Sequence, residues 1–291
     1  MGIRLSKFCR SKLKEHCVKN MKLNLGYPEV INEPGTLDSI FGNLEFGENH
    51  LENVLQLRRF KTRYFFNRLW YGDSDNPISQ ISLKTNPFGD NARYDYTKNT
   101  VYLNLGLLRS PIYFYSEDIP KYLRFGEISF LVRQMSHAFD TTGCFYDGKG
   151  KMWDRIWWPE TLVRKYDFYT DCLRTQLLNK TSIDVNNNET LNTIVGDIGS
   201  FLVSYDGLIS HLNVNTNERM LPSLSLTKKQ IYYVRVAQSY CESGTITTKE
   251  NKINSPRFRV NTAVSNMKDF GEVFNCPSQS PLNPSVKCNL L

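Results

Sequence analysis

Apolar positions recur at mostly helical intervals from the start of the chain: Leu5, Phe8, Leu13, Val18, Met21 and Leu25, with Lys and Arg between them. Gly26-Tyr27-Pro28 stops the run, so the pattern predicts a basic amphipathic helix over residues 4–25. Its leading reading is a solvated helix face packed against the body; a helix lying on a membrane surface is the alternative. A loop rich in Pro, Gly, Asn and Asp follows to about Asn49. Leu51, Val54, Leu55, Leu57, Phe65 and Leu69 then predict a second helix, ending near Tyr71-Gly72. Ile78-Ser79-Gln80-Ile81-Ser82-Leu83 alternates as a strand does. Tyr94-Asp95-Tyr96 and Thr100-Val101-Tyr102-Leu103 flank Lys98-Asn99 as the arms of a hairpin. Beyond residue 115 the spacing turns helical, at about 118–140, 157–180, 191–214 and 226–243. Roughly the last 45 residues read as a tail rich in Pro, Asn and Ser with isolated apolar anchors. No internal repeat is visible.

Charge matters once it is located. The 291 residues carry 36 Lys and Arg against 29 Asp and Glu, a formal charge of +7. Residues 1–25 hold seven of the bases and one acid, Glu15, so the rest of the chain is close to neutral. A nucleic-acid partner is therefore not expected. With 40% hydrophobic residues the composition excludes wholesale disorder and collagen-like repeats.

The compartment signals disagree. No apolar stretch approaches the ~18 residues of a membrane span, and the start lacks the apolar core of a secretory signal. Seven cysteines and two N-x-[ST] sites, at Asn179 and Asn188, suit an oxidising, glycosylating route instead. Met-Gly-Ile-Arg-Leu-Ser also fits the short N-myristoylation pattern, one that chance often supplies.

The segment from Phe125 to Asp140 is where chemistry is concentrated. Positions i and i+4 of a helix share a face, which is how H-E-x-x-H holds zinc with two histidines and sets the glutamate beside the bound water. Here those positions read Arg133, Gln134 and His137. Taken alone, this is a single histidine on an apolar helix, and its ordinary reading is a half-buried packing residue.

The neighbourhood changes that weighing. The stretch resembles the zinc helix of the neprilysin/endothelin-converting-enzyme family of zinc metallopeptidases, roughly G-x-x-x-x-H-E-x-x-H-x-F-D, through His137, Phe139, Asp140 and a Gly126 displaced by one residue. Asn91-Ala92-Arg93-Tyr94 is similar to that family's N-A-x-Y substrate-binding strand. Asp147-Gly148, Trp157-Trp158, Asn192-Thr193, Lys229-Gln230, Ala237-Gln238, Ser255-Pro256, Phe258-Arg259-Val260, Asn283-Pro284 and Cys288 follow in the family's order. The resemblance implies an α+β fold: a mainly helical thermolysin-like (gluzincin) domain with a small mixed sheet and edge hairpin. It also implies a peptidase domain at 51–291 and a remnant of an N-terminal cap domain and linker at 1–50.

Carried over residue by residue, the resemblance places the first histidine ligand at Arg133, a permanent cation that cannot coordinate zinc. The catalytic glutamate falls at Gln134, which cannot take a proton from water. His137 keeps the second ligand as a vestige. The third ligand, a glutamate, falls at Gly196, and the aspartate that orients a ligand histidine falls at Ser200. The histidine that steadies the oxyanion is Asn254, and the downstream arginine persists as Arg259. Three protein ligands are normal for catalytic zinc, so no metal is expected here. Arg133 is expected to fill the place of the zinc by pairing with a carboxylate such as Asp140, or with a residue that the sequence does not identify.

These assignments imply an inactive peptidase homologue in which Asn91, Ala92, Tyr94 and Arg259 still hold an extended peptide or a protein partner. An active or residual zinc metalloendopeptidase and a truncated, non-functional product are the alternatives. Membrane association would come only through the basic N-terminal helix or upstream sequence. By resemblance the location is extracellular or at the cell surface, with cytoplasmic retention the alternative, and Cys172 and Cys288 form a disulfide. Cys241 and Cys276 match cysteines whose partners lie in the family's N-terminal part, while Cys144 is an extra.

Overall fold

The computed structural model describes residues 17–27, 29–71, 86–110, 112–181, 188–242 and 255–288. The strand expected at 78–83, residues 4–16 of the basic helix and Asn254 lie outside the described residues. Three short strands, β1 (Lys22–Leu25), β2 (Ala92–Asp95) and β3 (Thr100–Leu103), form one sheet in the order β1-β3-β2. The helices are α1 (Thr36–Phe41), α2 (His50–Tyr71), α3 (Arg124–Glu127), α4 (Ser129–Ser136), α5 (Glu160–Thr181), α6 (Asn188–Val214), α7 (Lys228–Gln238), α8 (Pro256–Ser265) and α9 (Lys268–Val273). The expected α+β class, mainly helical with a small mixed sheet, is what forms. Among the described residues no helix is long and apolar enough to cross a membrane.

The chain divides into two compact units, residues 24–91 with 103–107 and residues 1–23, 92–102 and 108–291.

β2 and β3 form the expected hairpin. The Asn104 N–H donates to the Asn91 carbonyl at 3.3 Å, and Asn99 turns the chain in a left-handed conformation (φ 46°) that its short polar side chain tolerates. That side chain donates to the carbonyls of Cys17 and Gly148, at 2.9 and 2.8 Å. All four residues of β3 are buried, whereas β2 lies at the sheet edge. β1 corrects the end of the expected helix, at Lys22–Leu25: Lys22 donates to the Asn99 carbonyl and Gly26 to the Leu103 carbonyl, a parallel pairing. Sheet hydrogen bonds with a distant segment override the local helical spacing there.

Helix α6 occupies the middle of the larger unit. Leu191, Ile194, Ile198, Phe201, Tyr205 and Leu208 are all at most 2% exposed, and α3, α4, α5, α7 and α8 all pack against it. Full burial of such a side chain stabilises by about 1.5–3 kcal/mol, which is why this 27-residue helix forms despite four interior residues, Gly196, Gly199, Ser200 and Gly207, with poor or middling helix propensity. The single helix expected at 118–140 is instead a 3-10 turn (Lys121–Leu123), α3, α4 and a second 3-10 turn (His137–Phe139). Asp140 ends the run by accepting the N–H groups of Thr142 and Gly143 at 2.8 and 2.7 Å. Gly143 is required at this turn: a Cβ there would meet the His137 carbonyl at 2.1 Å.

The expected tail is also corrected. Ser255 accepts the Phe258 N–H, and Pro256 fills the first turn of α8, where it needs no N–H partner. Ala263, Val264, Met267 and Phe270 of this region join the core. Cys172 on α5 is bonded to Cys288, 116 residues later, with the Cα atoms 5.7 Å apart.

Candidate degenerate metal centre

Helix α4 lies along α6, and β2 packs on α4. This brings together three positions that are far apart in sequence. Arg133 and His137 sit one turn apart, and Gly196 of α6 faces both: a Cβ at Gly196 would lie 3.6 Å from Arg133 Cγ and 3.7 Å from His137 Cε1. The positions assigned to three zinc ligands therefore converge, but they carry a guanidinium, an imidazole and a hydrogen.

Asp197, 1% exposed, anchors the centre. Arg259 of α8 grips it with a fork: Nε donates to Oδ2 and Nη2 to Oδ1, both at 2.7 Å. The Tyr240 hydroxyl donates to Oδ1 at 2.9 Å, and Arg133 Nε stands 3.0 Å from the same oxygen. Burial works to lower the Arg259 pKa, but the hydrogen bonds and charge of Asp197 outweigh it and the net shift is upward. Burial first, and then the Asp197 charge, push Tyr240 above the ordinary phenol value. The Arg259 guanidinium also lies over the Tyr240 ring, 5.0 Å from its centroid.

Arg133 thus pairs with Asp197, which corrects the expected pairing with Asp140. α4 ends at Ser136, so Asp140 no longer continues its face. Asp140 instead lies 2.9 Å from His137 Nδ1 and accepts the Tyr96 hydroxyl at 3.1 Å. Burial, then the Asp140 charge, raise the Tyr96 pKa. Close by, Cys144 is buried, and burial followed by the Asp140 charge push its thiol up to about 12.

The remaining expected site residues fall as follows. Gln134 is buried, and the buried Ser200 hydroxyl donates within α6 to the Asp197 carbonyl at 2.8 Å. Ala92 and Tyr94 lie on edge strand β2, where the Tyr94 hydroxyl donates to Asn99 at 2.7 Å. Exposed Asn91 accepts from the Asn104 side chain. Asn179 and Asn188 are exposed, near the end of α5 and at the start of α6.

This donor set does not fit a zinc ion. One imidazole is available, its Nδ1 already faces Asp140, and Asp197 is held by the Arg259 fork and the Tyr240 hydroxyl. Among the described residues no three His, Cys, Asp or Glu side chains converge in a metal-holding group. Sequence reasoning missed Asp197 and Tyr240 as partners of the two arginines. The available signal was a lone carboxylate in the apolar run Ile194-Val195-Gly196-Asp197-Ile198, which burial obliges to find a cation.

Comparison with known proteins gives the family. The model of peptidase family M13 matches residues 91–290. Endothelin-converting enzyme 1 of Rattus norvegicus is 32% identical over 290 residues, 96% of this chain and 36% of the relative. The Homo sapiens enzyme of that name is 32% identical over 289 residues, with the same shares. The chain spans about a third of the length of these curated relatives (36%). Among solved structures, the Haemonchus galactose containing glycoprotein complex superposes with a TM-score of 0.73 at 21% identity, covering 96% of this chain and 44% of that one. Mycobacterium tuberculosis zinc metalloprotease Zmp1, in complex with an inhibitor, gives 0.68 at 18% identity over 96% and 42%. These likenesses extend the shared fold to the whole described centre, and with its family model matched over most of its length, the chain belongs to peptidase family M13.

Proposed function

We propose that this member of a proteolytic, zinc-dependent family is itself catalytically inactive and keeps the capacity to bind extended peptides along edge strand β2. The observation that carries the reading is the Arg133–Asp197 ion pair, at 3.0 Å, in the place where the fold would hold a metal. A guanidinium stays charged at any working pH and offers no lone pair. Gln134 in place of a general base removes about 10²–10⁴-fold in rate by itself. The supporting feature for peptide binding is β2, which among the described residues presents one unpaired edge whose backbone can hydrogen-bond an added strand.

Two measurements test this. Purified protein should carry far less than one zinc per chain by elemental analysis and show no chelator-sensitive cleavage of fluorogenic peptides. Stoichiometric zinc together with chelator-sensitive cleavage overturns the reading. Labelled extended peptides should bind, and more weakly to Asn91→Ala. The disulfide and the exposed sequons at Asn179 and Asn188 support an oxidising, secretory location, which a mobility shift on glycosidase treatment would register.

A further inference from the structure

Asp197 Oδ1, the oxygen that Arg133 approaches, already accepts from Arg259 Nη2 and from the Tyr240 hydroxyl, while Oδ2 accepts from Arg259 Nε. Arg133 Nε comes within ion-pair distance but is buried without a hydrogen bond. The group of Arg133, Arg259 and Asp197 therefore holds two fixed positive charges against one negative. The carboxylate is almost fully buried, while the Arg133 and Arg259 side chains are 20% and 17% exposed. Among the described residues no hydrogen bond engages the two terminal nitrogens of Arg133 or Nη1 of Arg259, and none of the three is a buried atom without a partner. Next to them, glycine at position 196 leaves out a Cβ that would touch both Arg133 and His137 at ordinary contact distances.

We infer that the centre formed by Arg133, Arg259 and Asp197 is an anion site that takes a carboxylate, supplied by the C-terminus of a peptide lying along β2. The surplus guanidinium charge selects an anion, and the planar fork of arginine matches a carboxylate with two parallel hydrogen bonds. The peptide source follows from placement: β2 packs on α4, the helix that carries Arg133, and its end is tied to His137 through Tyr96 and Asp140. The carboxylate thus stops the peptide where a cleaved bond would otherwise sit. The choice of source rests on the peptide-binding reading above, whereas the anion site itself rests only on the charges at Asp197.

The experiment is a titration of paired peptides, identical except for a free or an amidated C-terminus, with a third that is amidated but ends in glutamate. Wild type should bind the free acid at least about tenfold tighter than the amide, the scale of one hydrogen bond to a charged group. Arg133→Gln should bring the acid down to the amide and leave the amide unchanged. It should fold, because Asp197 keeps Arg259; Arg133→Lys, which keeps charge without the fork, should fall between and serves as the second variant. Tight binding of the glutamate amide as well would assign the site to carboxylates in general, with the terminus as one source. Equal binding of acid and amide overturns the inference and leaves the groove reading standing. If none of the peptides binds, the groove reading fails, and acetate titration then decides the site. A saturable shift of the Arg133 Nε resonance, absent in Arg133→Gln, upholds it, and no saturation overturns it.

Discussion

Asp197 is the residue on which the centre depends. Replacing a buried carboxylate that two arginines face leaves uncompensated positive charge in a poorly solvated site, and breaking such an arrangement typically costs about 3–5 kcal/mol. Asp197→Asn, which keeps shape and loses charge, should therefore lower unfolding stability by that order in urea titrations. Arg133→Gln should cost much less, because the Arg259 fork survives it. A larger loss for Arg133→Gln than for Asp197→Asn would contradict this order. At this scale sequence reading was partly sufficient. It identified what occupies positions 133, 134, 137 and 196, but gave Arg133 the wrong carboxylate, since Asp140 seems near only while the helix is drawn on past Ser136.

At the scale of elements, the long periodic segments were legible. α2, α5, α6 and α7 form where apolar spacing predicted them, because burying one broad face of a helix needs little more than the right period. Two short elements were not. Lys22–Leu25 became a strand through partners at Asn99 and Leu103, and α8 and α9 were hidden in a polar-looking tail although Ser255-Pro256 is a helix start signal. The tail is also fixed covalently. Cys288, 1% exposed, ties it to α5, and removing a native disulfide typically costs about 2–5 kcal/mol. Cys172→Ser with Cys288→Ser should lower the Tm without changing the fold seen by circular dichroism, and an unchanged Tm would show that the bridge contributes little.

For the whole molecule, the larger unit brings positions 133, 137 and 196 together, so on the proposed reading the ligand geometry is kept without the ligands. This can be tested by reversal. Arg133→His, Gln134→Glu and Gly196→Glu combined should give a protein that takes up about one zinc per chain, with wild type as the control. Position 196 should accept the side chain, since its Cβ would meet neighbours at 3.6–3.8 Å, ordinary contact distances. Failure of the folded triple variant to hold zinc would mean that α4 and α6 no longer set the ligand spacing.

The amino-acid sequence by itself determined the family, through many landmarks in one order, and which side chains stand at positions 133, 134, 137 and 196; no fold lends a lone pair to guanidinium. Only the tertiary structure decided what those side chains meet. Which carboxylate meets Arg133, and whether positive charge is left over, depends on distances of about 3 Å between helices remote in sequence, and Coulomb interactions weaken too quickly with separation and solvent for spacing along the chain to reveal them.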